Sequence, residues 1–369
     1  VLISRYADLL AVYKDSEAFS SDKRGEYGDK YGRDTPLFAH HTTSLIFNDP
    51  PYHTRVRRLI AGALTPRHIA AMEPAVVALV DQLLDALPAH AAASADGSVD
   101  LIEHFAAAIP IEVIGNLLRV PHAERGPLRA WSLAILGALE PVVSPQAAAA
   151  GHAAVTEFLA YLEGLVADRR ARPGDPDVDV LTRLIRGEAD GERLTHAELL
   201  HNCIFLLNAG HETTTNLIGN GLELFARFPD ARERLIDQPA LIASAVEECL
   251  RYESSNQLGN RVTTRAVEVA GTTLEAGTRI TLCIGAANRD PAHFTDPDRF
   301  DIGRTPNRHL AFASGPHTCV GLQVARLEGR VAIGRFVARY PRYMPADAVQ
   351  RGGRVRFRGF ARLPVRLGA

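Results

Sequence analysis

One cysteine stands apart from the other three. In "HLAFASGPHTCVGLQVARLE", residues 309–328, Cys319 is flanked by Gly315 and Gly321 and immediately precedes an amphipathic helical pattern. Helix-end amides at such a place stabilise a thiolate, so this cysteine is either reactive or a ligand. Cys203, Cys249 and Cys283 lack that setting and read as small buried hydrophobes. The second stretch with chemical content is "NAGHETTTN", residues 208–216. Gly210 with Thr213, Thr214 and Thr215 costs roughly 3 kcal/mol of helix propensity relative to alanine. A local rule broken that heavily marks a functional site. His211 and Glu212 begin the zinc motif H-E-x-x-H, but its second histidine would fall at Thr215, so the spacing fails.

The elements that must position these residues are mostly helical. Periodicity predicts helices over about 64–90, 101–118, 123–138, 146–171, 195–228, 240–253 and 319–340, separated by loops such as "AASADGSVD" and "ARPGDPDVD". The helix over 195–228 opens on a capping box, Thr195 with Glu198, and ends where Pro229 cannot continue it, a length of roughly 50 Å. Leu199, Cys203, Leu206, Gly210, Thr213 and Leu217 form one buried stripe along it, so a glycine and a hydroxyl interrupt an apolar face. "RVTTRAVEVAGTTLEAGTRITLCIG" alternates like a small sheet, and "RVRFRGFARLPVRL" reads as a closing hairpin. No repeat, linker or composition shift divides residues 1–369, which predicts one mainly helical domain with a minor β part. The first residue is Val1 rather than methionine, so a front piece is expected to precede it.

Composition narrows the partners. Forty-one basic residues against 43 acidic ones give a formal charge of -2, which provides no global field for nucleic acid or an anionic membrane. Four scattered cysteines without a C-x-x-C pair argue against a disulfide framework and a structural zinc site, and point to the reducing cytoplasm. Apolar stretches are broken by carboxylates, so no bilayer span is expected.

The chain resembles the cytochrome P-450 family, whose haem-ligand loop reads F-G-x-G-x-H-x-C-x-G. Phe312, Gly315, His317, Cys319 and Gly321 match it, while Ala313 stands where the pattern has glycine and adds a methyl. "AGHET" matches A-G-x-[DE]-T, "ECLR" matches E-x-x-R, and "DPPYHTRVR" lies near the front. The resemblance implies the family's fold, a triangular helical prism around buried haem b (iron protoporphyrin IX), with Cys319 as the axial metal ligand whose thiolate favours O–O cleavage. It implies that His53 and Arg57, Arg261, His309 and His317 hold the haem propionates; His53 and Arg57, i,i+4 on one helix face, suit one anionic group. Glu248 and Arg251, with Arg299 in "DPDRF" as third member, would form the family's buried ion network. Ala209 and Gly210 would let the long helix pass close to the haem face. Glu212 would relay protons and Thr213 would hydrogen-bond the dioxygen being reduced, while Thr214 and Thr215 would bond back to carbonyls of the preceding turn. Phe205, Asn208 and Ala209 would face the substrate pocket, with Asn208 standing where the family more usually places an aliphatic side chain.

The implied activity is a haem-thiolate monooxygenase that inserts one oxygen atom from O2 into a small or medium organic substrate. Electrons would come from NAD(P)H through a reductase and a ferredoxin, to a monomer in the cytoplasm. Arg55, Arg58 and Arg326 would form the positive face for an acidic ferredoxin. A peroxide-driven peroxygenase is one alternative, and family members of that kind tend to replace the acid–threonine pair that is intact here. A catalytically silent haem-binding or partner-recruiting protein is another, which loss of Cys319 or Thr213 would have favoured.

Overall fold

In the computed structural model, residues 1–176, 179–187, 193–346 and 349–368 are described; part of the loop expected over 171–179 lies outside them. Helices dominate. The first four are α1 Tyr6–Lys14, α2 Arg24–Tyr31, α3 Pro36–Thr43 and α4 Tyr52–Ala63. The middle of the chain holds α5 Pro66–Ala93, α6 Ala108–Leu117, α7 Leu128–Gly137, α8 Pro145–Ala171, α9 Val180–Arg186 and α10 His196–Arg227. There follow α11 Pro229–Asp237, α12 Ile242–Tyr252, the short α13 Ile284–Ala287 and α14 Leu322–Arg339.

The caps explain several boundaries. Thr195 accepts the Glu198 amide while the Glu198 carboxylate takes the Thr195 amide, so both halves of the predicted capping box on α10 exist. Thr65 and Ser144 cap α5 and α8 through one bond each, from the His68 and Ala147 amides, with proline in the first turn. The helix expected over 101–118 is instead a π-helical turn, Ile102–Ala106, followed by α6.

The minor β part begins with β1 Leu2–Ile3, β2 Phe19–Ser20, β3 Val99–Asp100, β4 Leu258–Thr263, β5 Val267–Val269, β6 Thr272–Leu274 and β7 Arg279–Cys283. Strand order is β1-β7-β4-β2 in the largest sheet, with β4 and β7 antiparallel and Arg261 opposite Ile280. β5 and β6 pair antiparallel within the stretch expected to form a small sheet. The closing hairpin expected over 354–367 does not form. Near the C-terminal end come β8 Met344–Pro345, β9 Gln350–Arg351, β10 Phe360–Arg362 and β11 Pro364–Arg366. β10 pairs with β9, while β11 lies between β3 and β8. Only Leu363 separates β10 from β11, too short a connection to reverse the chain, and its amide and carbonyl are taken by Asp100 and Leu101.

Helix α10 is central, because its buried residues belong to two cores. Leu217, Ile218, Leu222 and Phe225 pack with α5, α12 and α14, whereas Leu199, Cys203 and Leu207 pack with α4, α7 and α8. The hinge between those cores is the "AGHETTT" stretch. A side chain at Gly210 would collide with Ile114 of α6, so this glycine allows the close α6–α10 crossing. Gly210 also lines the cavity, on the side expected to face the haem.

Candidate active site

A cavity of about 320 Å³ lies between α10 and the loop before α14. Cys319 is on its wall, and its amide donates to the Phe312 carbonyl at 2.9 Å, which folds the loop back on itself. Burial raises the Cys319 thiol pKa, while the Gly321 amide, Arg57 and Arg326 pull it down. Gly321 is the N-cap of α14, as expected of a thiol stabilised at a helix start, and a Cβ on it would stand in open cavity space. Gly315 has φ +67°, and a side chain there would strike the Tyr13 carbonyl at the end of α1. Ala313 has φ +57°, so the departure from glycine adds backbone strain as well as a methyl.

His53, Arg57, Arg261 and His317 all line the same cavity. His53 is 1% exposed, neither ring nitrogen has a partner among the described residues, and its ring lies 3.9 Å from that of His317. Burial and then Arg57 lower its pKa to about 4. Arg261 is held by the Asn260 carbonyl at 2.7 Å and lies over the Tyr13 ring. His309 stands differently from the other four. Its Nε2 meets Glu247 at 3.2 Å and its Nδ1 accepts the Ala311 amide, so it braces the loop and does not line the cavity.

Across the cavity, Phe205, Asn208, Ala209, Gly210 and Thr213 line the wall formed by α10. The Thr213 hydroxyl donates to the Ala209 carbonyl at 2.6 Å, which leaves its lone pairs free to accept. Thr215 makes the expected bond to the His211 carbonyl, but Thr214 lines the cavity instead. Glu212 points away, behind the wall, to Arg354 Nη1 at 2.5 Å. Burial raises its pKa to about 7 against the opposing pull of Arg354.

The ion network is corrected in one member. Glu248 and Arg251, both fully buried, pair at 2.8 and 2.9 Å. The third cation is Arg304, at 3.2 Å from Glu248, whereas Arg299 is exposed and offers only its carbonyl to Arg251. The extra turn of chain after Phe300 brings Arg304 back while Arg299 faces outward. The expected arginine face is also partly neutralised, since Arg55 pairs with Glu198 and Arg326 with Glu247.

Sequence reasoning missed Ser21, Tyr13, Lys23, Arg356 and Glu328, which line the cavity as well. Ser21 Oγ is 3.1 Å from His317 Nε2. Glu328, on α14, is 1% exposed, has an unpartnered Oε2 among the described residues, and burial raises its pKa to about 8. Its only sequence signal was a carboxylate on a buried helix face, which an amphipathic reading assigns to solvent.

The family model for Cytochrome P450 matches residues 137–241 and 236–351. The chain is 39% identical to vitamin D(3) 25-hydroxylase of Pseudonocardia autotrophica over 372 residues, covering 100% of this chain and 88% of that one. It is 39% identical to cytochrome P450 107B1 of Saccharopolyspora erythraea over 329 residues, covering 88% of this chain and 77% of the relative. Among solved structures, P450BioI in complex with hexadec-9Z-enoic acid ligated acyl carrier protein superposes with a TM-score of 0.91 at 34% identity, covering 99% and 91% of the two chains. This chain therefore belongs to the cytochrome P450 family of haem-iron monooxygenases, has its fold, and binds haem b. No helix among the described residues is long and apolar enough to cross a membrane.

Proposed function

We propose that this monooxygenase inserts one oxygen atom from O2 into a small or medium organic substrate, with electrons from NAD(P)H through a reductase and a ferredoxin. In this reading residues 1–369 form a single haem domain that works as a cytoplasmic monomer. The observation that carries it is the shared cavity, with the Cys319 thiol on one wall and the Ala209–Thr213 turn of α10 on the other.

The residues present fit haem b. Cys319 supplies the thiolate, and binding iron would deprotonate it outright despite the burial that raises its pKa. Gly321 leaves room beside the thiol, and His53, with both nitrogens unspent, joins Arg57, Arg261 and His317 as donors to two carboxylates. When bound, the group supplies iron chemistry that activates dioxygen, with the thiolate favouring O–O cleavage.

The chain's own part is proton management. Glu212 Oε2, held by Arg354 Nη1 and raised to about 7, takes and gives a proton near neutral pH. Arg354 is partly exposed, which connects that carboxyl to solvent. Thr213 Oγ1, anchored by its bond to the Ala209 carbonyl, presents a hydroxyl to the cavity one residue away. This adjacent acid and alcohol favour an O2-driven over a peroxide-driven reaction. With Arg55 and Arg326 each paired to a carboxylate, the positive charge that this face could offer an acidic ferredoxin is reduced.

The test is spectroscopic. Cys319→Ala should abolish the red-shifted Soret band of the carbon-monoxide-bound ferrous protein, while Cys203→Ala, Cys249→Ala and Cys283→Ala preserve it. A normal band from Cys319→Ala ends the haem-thiolate assignment.

A further inference from the structure

Two buried asparagines on α10 are satisfied, while His201 Nδ1, His211 Nε2 and Asn216 Nδ2 each leave one atom without a partner among the described residues. Asn202 bonds the Leu45 amide and the Glu198 carbonyl, and Asn220 reaches the Glu253 and Arg358 carbonyls. Asn208 differs. It is 3% exposed, it lines the cavity, and both its Oδ1 and Nδ2 lack a partner among the described residues. A buried amide left without partners carries a desolvation cost that packing alone does not return. Leucine at this place would fill the space without that cost.

A second unsatisfied set lies on α3. His40 and His41 are each 2% exposed and line the cavity, and His40 Nδ1 and His41 Nε2 lack partners among the described residues. Their rings are 5.0 Å apart, and the His40 ring is 5.7 Å from that of His201, which begins the face of α10 that carries Asn208. Burial lowers the pKa of both, so each is a neutral imidazole with one donor and one acceptor nitrogen. Asn208 lies seven positions beyond His201, roughly 10 Å further along α10, so the two sets are set apart. The cavity lining also includes the apolar Ile114, Leu117, Ile135, Leu136 and Phe205.

Of the cationic groups at the cavity, Arg57 and Arg261 are assigned to the haem carboxylates in the reading above, and two others are committed elsewhere. Lys23 pairs with Glu26, and Arg356 spends its guanidinium on the Leu139 and Leu258 carbonyls and Asn260. Resting on the monooxygenase reading above, the geometry points to Asn208 and the His40–His41 pair as the specificity-determining hydrogen-bonding groups of the substrate cavity. They select a neutral, mainly apolar molecule that carries hydroxyl or carbonyl groups at two ends. A hydroxyl suits Asn208 best, since it donates to Oδ1 and accepts from Nδ2 at once.

The experiment titrates the haem-loaded protein by calorimetry and by the Soret shift. The probes are androstane, its mono-alcohol, its diol with a hydroxyl at each end, and the same skeleton with one terminal carboxylate. Affinity should rise about tenfold with each hydroxyl, and the carboxylate should bind more weakly than the mono-alcohol. Asn208→Leu should remove one tenfold step and His41→Phe the other, with androstane itself bound as well as before. Asn208→Ala serves as a second variant should leucine disturb the fold. A diol no tighter than androstane, equal losses for all probes in Asn208→Leu and Asn208→Ala, or a carboxylate that binds tightest overturns the proposal. The carbon-monoxide Soret band of each protein separates the two readings: its absence from the parent protein refutes the haem-thiolate assignment, whereas its presence with a flat probe series refutes only the specificity pair.

Discussion

Two buried polar regions of this molecule are built on opposite terms. Around Glu248, all five N–H groups of Arg251 are spent, on the Glu248 carboxylate and on the carbonyls of Asn288, Pro297 and Arg299. Glu248 also accepts from Arg304, Asn307 and the Asp301 amide. Around the cavity, His53, Asn208 and Glu328 are as deeply buried, yet carry nitrogen or oxygen atoms with no partner among the described residues. The first region holds the chain together. In the second, the desolvation cost is left standing until a ligand answers it. Burial of a charged residue therefore says little about its role until its partners are counted.

Removing one member of the satisfied network should have the largest effect. Glu248→Ala leaves the Arg251 guanidinium buried and uncompensated, and should cost about 3–5 kcal/mol in urea unfolding. Arg304→Ala should cost about 1–3 kcal/mol and Arg299→Ala less than about 0.5 kcal/mol. Equal losses for the two arginines would restore Arg299 to the network and dissolve the contrast drawn from it.

The cavity side should respond to pH instead. Glu328 and Glu212 are raised from 4.5 to about 8 and about 7, so the folded state holds their protons where the unfolded chain has released them. Stability from this source is full below pH 4.5 and is lost as pH rises through 7 and 8, a fall of a few kcal/mol by order of magnitude. Glu328→Gln should flatten the upper part of that fall, measured as midpoint urea concentration against pH. An unchanged profile would mean that Glu328 has partners and belongs with the Glu248 class.

The smallest effect concerns the loop that joins the two regions. Ala313→Gly relieves a left-handed alanine and should gain up to about 1 kcal/mol in thermal unfolding, offset in part by the greater freedom of glycine in the unfolded chain. A loss of stability would show that the methyl packs usefully, against the core of α1 and β7 on which it rests.

The sequence carried the helical elements because their apolar periodicity and caps are local properties. Thr195, Glu198 and Pro229 bracket α10 without reference to anything distant, and the thiol loop is written in consecutive residues. Arg304 and Arg299 could not be ranked that way, since both follow Asp298 in an irregular segment and only the tertiary path turns one inward. The contact of His309 with Glu247 was illegible for a similar reason, since Glu247 sits on α12. Ser21 and Lys23 lie in a stretch with no periodicity at all, and only the tertiary path brings them to the cavity, Ser21 to His317. The tail strands failed as a hairpin because alternation reports exposure on one face and is silent about the partner strand.

The seat of the thiol loop also sets an order of assembly. Gly315 lies against the Tyr13 carbonyl, Ser21 meets His317 across 296 residues, and Tyr6 donates to the Arg308 carbonyl across 302. Closing so long a loop carries an entropic penalty that must be met before these contacts give anything back. On a ribosome, α1 emerges some 302 residues ahead of its partner loop and must wait for it. The iron-binding end of the cavity is thus among the last parts to take shape, and pulse-labelled amide exchange should find the Cys319 amide protected later than those of α8 or α10.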